Sequence, residues 1–145
     1  MPEFHLDCGT PEAAREYLAL DEFTRGYIEA MFFTDASDSD DGDLAHATLA
    51  DLAPEALATI VRDCTTFQSD YRADIDEAVD TGRINGYDEM AAGRDYWFTR
   101  NHHGVGFWDR GLGEIGEIGD KLTEKAHNDP SVDLYRGDDE QIYIS

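Results

Sequence analysis

The chain has 145 residues, and 33 acidic against 11 basic side chains give it a formal charge of −22. That balance excludes a basic surface for DNA, RNA or an anionic membrane, while 41% hydrophobic and 11% aromatic content excludes a disordered acidic tail. With no apolar run near the roughly 18 residues that span a bilayer and no basic leader, the sequence predicts one soluble, cytoplasmic α+β domain over residues 1–145.

The first helix starts at Thr10-Pro11-Glu12, with Thr10 as N-cap, Pro11 in the first helical position and Glu12 at the positive end of the dipole. It runs to about Leu20, and a second helix covers Asp21 to Phe33, with Phe23, Tyr27, Ala30 and Met31 on one face. Residues Thr34 to Asp43 are polar and aperiodic, which predicts an exposed loop. After Pro54, the residues Leu57, Ile60, Val61, Cys64, Phe67, Tyr71, Ile75 and Val79 form one apolar stripe. They predict a single long amphipathic helix from Glu55 to Asp80, ended by Gly82.

Beyond Gly86 the expectation turns from helix to sheet. A short helix over Tyr87 to Ala92 leads into Asp95 to Arg100, whose Tyr96-Trp97-Phe98-Thr99 core is β-prone. Asn101 to Gly104 supplies a turn, and Val105 to Trp108 returns as a second strand. A helix follows from Leu112 to about Ala126, stopped by Asn128-Asp129-Pro130. Val132 to Tyr135 and Gln141 to Ile144 alternate around Gly137 to Glu140, a hairpin signal. The expected architecture is therefore mainly helical and acidic over 1–85. Over 86–145 it is β-rich, an antiparallel sheet of about four strands with an inserted helix.

The charge is uneven and chemically biased. Residues 1–90 carry 22 acids and 5 bases; residues 91–145 carry 11 and 6. Aspartate outnumbers glutamate 21 to 12, and arginine outnumbers lysine 9 to 2. Self-repulsion on this scale works against compactness. It fits adaptation to high salt, where screening acts within about 3 Å at 1 M. It equally fits a solvated surface encoded by a GC-rich genome, or mimicry of a nucleic acid. Duplex DNA holds one charge per ~1.7 Å, so a charge of this size matches about 11 base pairs. On the long helix, Asp63, Asp70, Asp74 and Glu77 fall in one narrow band. That row is either a solvated face or a line of carboxylates for a basic partner, which Asp38, Asp40, Asp41 and Asp43 of the loop would extend.

Other motifs carry less. Gly111 to Gly116 matches G-x-G-x-x-G literally, but the βαβ context of a dinucleotide site is missing. The Ser37 to Gly42 loop fails the calcium pattern, because Thr48 stands where a bidentate glutamate is needed. His102 and His103 are adjacent and point apart, so metal or general-base chemistry would fall to His103 with Asp109, next to Trp108 and Arg110. Cys64 lies on the apolar stripe and reads as a small buried hydrophobe, and Cys8 has no identifiable partner. No cofactor is called for, and no metal set is complete.

The stretch Gly93-Arg94-Asp95-Tyr96-Trp97-Phe98-Thr99-Arg100-Asn101-His102-His103-Gly104-Val105-Gly106-Phe107-Trp108-Asp109-Arg110-Gly111 is distinctive, as are Gly119 to Thr123 and Asp133 to Tyr135 after it. In these residues the chain resembles small acidic proteins of tailed phages and prophages that have no assigned activity. The resemblance spans roughly 15–145 and is densest over 93–136. His103-Gly104 follows the motif, whereas His102 stands where a small residue is expected. What the resemblance implies is a phage context, in which small acidic accessory proteins inhibit host enzymes acting on DNA. The leading expectation is thus a non-enzymatic, DNA-mimicking binder of a basic host DNA-processing or defence protein, without direct contact to nucleic acid or membrane. The alternatives are a salt-adapted metal-binding domain or enzyme at His103 and Asp109, and a virion component.

Overall fold

The computed structural model describes residues 6–35, 44, 47–112 and 117–145. Its helices are α1 (Pro11–Leu18), α2 (Glu22–Asp35), α3 (Pro54–Asp70), α4 (Arg72–Gly82), α5 (Glu89–Arg100) and α6 (Glu117–His127). Strands β1 (Leu134–Arg136) and β2 (Ile142–Ile144) pair antiparallel, Leu134 opposite Ile144 and Arg136 opposite Ile142. The class is α+β, mostly helical, with a two-stranded C-terminal sheet. Among the described residues, no helix is long and apolar enough to cross a membrane.

The helix starts follow their caps. Thr10 Oγ1 accepts from Ala13 N at 3.1 Å, Asp21 Oδ1 from Thr24 N at 2.8 Å, and Asp88 Oδ1 from Ala91 N at 2.8 Å. Each satisfies one of the amides that the first helical turn leaves without an intrahelical acceptor.

Two expectations need correction. The stripe from Leu57 to Val79 belongs to two helices, because Tyr71 (φ −125°, ψ 27°) leaves the helical region between them. From Phe67 to Val79 the apolar residues recur every four positions, and each step turns a straight helix by about 40°. A straight helix would carry the stripe off the core. The break resets it, so that Ile75 and Ala78 of α4 are buried like Ile60, Cys64 and Phe67 of α3.

The second correction concerns residues 86–145, expected to be β-rich with about four strands. Asp95–Arg100 is the second half of α5, and Phe107–Asp109 forms a short 3-10 turn rather than a strand. From Asp95 to Arg100 every residue of α5 is buried. A helix covered on all sides shows neither helical nor strand periodicity. Tertiary burial, not β propensity, explains its aromatic run.

α5 packs along α2 at backbone distance, through Gly26 and Gly93. Around this pair the core is aromatic: Tyr96 stacks on Phe67 at 4.1 Å, and Trp97 meets Tyr27 edge-on at 5.3 Å. Phe107 stacks on Phe67 at 6.1 Å. The hairpin docks on the start of α3, where Ala53 N donates to Ile142 O at 2.9 Å.

An acid-lined cleft beside a buried arginine

α5 delivers Arg100 to the interior, 3% exposed. Its Nη1 donates to Asp63 Oδ2 at 3.0 Å and to Tyr27 Oη at 3.2 Å. Its Nε and Nη2 both donate to the Pro130 carbonyl, at 3.1 and 2.8 Å. The guanidinium also lies 5.4 Å from the centre of the Tyr96 ring, whose hydroxyl donates to Asp129 Oδ2 at 2.6 Å. Burial pushes the Tyr27 and Tyr96 phenols far up from their ordinary range, so both act as neutral hydrogen-bonding groups. One fork-shaped cation thus ties α2, α3, α5 and the segment after α6 together.

Outside this cluster opens a cleft of about 440 Å³, lined on the α3 side by Arg62, Asp63, Thr66, Phe67, Asp70 and Tyr71. Tyr96, Asp129, Pro130, Val132 and Ile144 are among the residues closing the other side. Asp70 is exposed at the end of α3, and Arg62 is the outward-facing cation, 3.6 Å from Asp63.

The predicted row divides. Asp63 and Asp70 both line the cleft. Asp74, beyond the Tyr71 break, pairs with Lys121 of α6 at 3.0 Å, and Glu77 is exposed on α4. Asp38, Asp40, Asp41 and Asp43 lie outside the described residues, as does most of the Gly111 to Gly116 motif.

Of the residues considered around His103, Asp109 and Arg110 stay within 3.6 Å of each other, but His103 turns to a different neighbour. The His103 ring is edge-on to Phe98 at 5.9 Å, and Asp109 Oδ1 accepts from Gly106 N at 3.2 Å, closing its own turn. Arg110 reaches inward and forks onto Asp95 at 2.9 to 3.3 Å, while Trp108 is partly exposed. Asp95 is 1% exposed and also accepts from Tyr87 Oη at 2.8 Å; burial raises its carboxyl despite the arginine. Among the described residues, no group of three or more His, Cys, Asp or Glu side chains could hold a metal ion. Cys64 is fully buried, and burial pushes its thiol well up.

Sequence reasoning missed the pairing of Arg100 with Tyr96 and, through it, Asp129, and separately that of Asp95 with Tyr87 and Arg110. The arginine bias was the available signal, since forked donors suit buried ion pairs better than lysine does. Arg72, Arg94, Arg100, Arg110 and Lys121 are all within ion-pair distance of a carboxylate on another segment. Meanwhile Glu16, Glu22, Glu55, Asp70, Glu77, Asp120 and Glu124 are exposed.

Comparisons with protein-family models, with curated proteins and with solved structures found no match to this chain.

Proposed function

We propose that the chain is a non-enzymatic accessory protein of phage type that binds a basic host DNA-processing or defence protein where that protein would bind DNA. The observation that carries this reading is the sorting of charge. Most of the cations are spent inside the molecule or against its own carboxylates, so the surface offered to a partner is dominated by acids. Asp70 and Glu77 along α3 and α4, with Asp120 and Glu124 on α6, supply the carboxylates. Such complementarity gives fast association that weakens as salt rises.

The test is displacement of a fluorescently labelled duplex from a panel of basic DNA-binding and nuclease proteins, read by anisotropy. At about 0.05 M salt the chain displaces the duplex from at least one panel member, and about 0.5 M salt abolishes the effect. The double variant Asp70→Lys, Glu77→Lys displaces it roughly tenfold less well, a loss of about 1.4 kcal/mol. Displacement by the double variant equal to that of the parent refutes the mechanism, and so does failure across the panel.

Metal or acid–base chemistry at His103 and Asp109 has less support, because the two side chains are committed to different neighbours. A regular oligomer in solution would favour the virion-component reading instead.

A further inference from the structure

We infer that the cleft beside Arg100 is a receptor for an arginine side chain of the partner, the point at which a basic surface is gripped; this rests on the reading of a cationic partner. Three features of the cleft choose the ligand. Its walls combine aromatic rings with carboxylates, the pairing that suits a planar, delocalised cation. Phe67 and Tyr71 meet edge-on at 4.9 Å, and half-buried Tyr71 lines the cleft between Asp70 and Phe67.

The same walls already hold cations from within the chain. Arg100 sits over Tyr96 and on Asp63, Lys125 sits 5.4 Å from the centre of the Tyr71 ring, and Arg62 approaches Asp63. The buried arginine, in turn, does not make an anion site. Each of its three nitrogens donates to an internal acceptor, and an anion entering the cleft would face Asp63, Asp70 and Asp129.

Arg62 is the replaceable part. Its side chain is 72% exposed and stands 3.6 Å from Asp63, too long for a good hydrogen bond. An incoming guanidinium pairs with exposed Asp70 beside Tyr71, and displacement of Arg62 adds the charge of Asp63, two helical turns away, without a direct bridge between the two carboxylates. A volume of about 440 Å³ leaves room for that side chain with some of its backbone.

The probe is N-acetyl-arginine-N-methylamide, titrated at about 0.05 M salt and followed by amide chemical shifts, with the capped lysine and norleucine analogues alongside. The expected result is saturable shifts concentrated at Thr59, Thr66, Asp70 and Val132, strongest for arginine, weaker for lysine and absent for norleucine. Asp70→Asn weakens binding about threefold or more, while Asp80→Asn, the same charge change on α4 away from the cleft, leaves it unchanged. Arg62→Ala tightens binding and Arg83→Ala does not. Shifts spread evenly over the acidic surface, or equal effects of Asp70→Asn and Asp80→Asn, overturn the assignment. Duplex displacement that survives Asp70→Asn also removes the cleft but leaves the partner reading standing. Capped arginine bound in the cleft without any duplex displacement keeps the cleft and removes the DNA-processing partner.

Discussion

Gly93 offers the sharpest check on the packing argument. A β-carbon there would lie 1.8 Å from the Phe23 carbonyl oxygen, and one on Gly26 would lie 2.0 Å from the Met90 carbonyl oxygen. Ordinary contact starts near 3.4 Å, so Gly93→Ala must part α2 and α5 locally by about 1.6 Å. The obstacle is backbone, and no side chain can swing away to make room. A gap of 0.5–1 Å already forfeits about a quarter to a half of a dispersion contact. The pairs at risk include Tyr27 with Trp97 at 5.3 Å and Phe23 with Tyr96 at 5.9 Å.

Overpacking costs about 1–3 kcal/mol, and this site belongs at the upper end because both helices are central. Alanine returns about 1 kcal/mol of helix propensity. The net loss is about 2 kcal/mol, or roughly 7 °C in Tm for a chain of this size. Urea unfolding followed by far-ultraviolet circular dichroism and tryptophan fluorescence measures it. Gly104→Ala, where a β-carbon meets nothing within 4 Å, serves as the control and stays within about 0.5 kcal/mol of the parent. If Gly93→Ala proved as stable as that control, close backbone packing of α2 on α5 would be wrong.

Three further outcomes follow from the same interior. Arg100→Met leaves Asp63 and the Pro130 carbonyl without their donor, and about 3 kcal/mol of stability should vanish in chemical denaturation; a loss under about 1 kcal/mol would mean that the cluster is not cohesive. Adding KCl from about 0.05 to about 1 M should raise Tm, because screening relieves the repulsion between exposed carboxylates more than it weakens the buried pairs. A flat or falling Tm contradicts that account. Burial raises the carboxyls of Glu29, Asp35 and Asp95, so their folded forms hold protons better than the unfolded chain does. Their contribution is therefore fully present below the ordinary carboxylate range and is lost as pH rises through the raised values. Asp21, whose hydrogen bonds with Thr24 and Gln68 outweigh its burial, and Asp139, held down by its hydrogen bonds with Tyr143 and Gln141, act in the opposite sense and lose stability on acidification. Low-salt Tm at pH 5.5 should accordingly exceed that at pH 7.5, and the reverse order would refute the balance.

What the sequence by itself determined are features settled within a few residues of chain. Thr10-Pro11 sets the start of α1 and the turn around Gly137 to Glu140 the pairing of β1 with β2, whereas Gly82, the expected stop, is itself helical and the chain runs on in a 3-10 turn to left-handed Gly86. Caps and tight turns are local hydrogen bonds and local backbone preferences, so they are legible without the fold. The apolar stripe likewise identified Ile60, Cys64, Phe67 and Ile75 as core, although not the break at Tyr71 between them. Tertiary structure decided the rest. Whether Asp95 to Arg100 is strand or helix depended on what covers it, and burial on every side erased the periodicity that would have answered. The cleft joins Asp63 to Arg100 across 37 residues and Tyr96 to Asp129 across 33. It also divided a row that one straight helix would have kept whole, holding Asp63 and Asp70 while Asp74 went to Lys121. Ion pairs of that range form only after helices pack, since desolvation and geometry, not spacing along the chain, select which carboxylate meets which arginine.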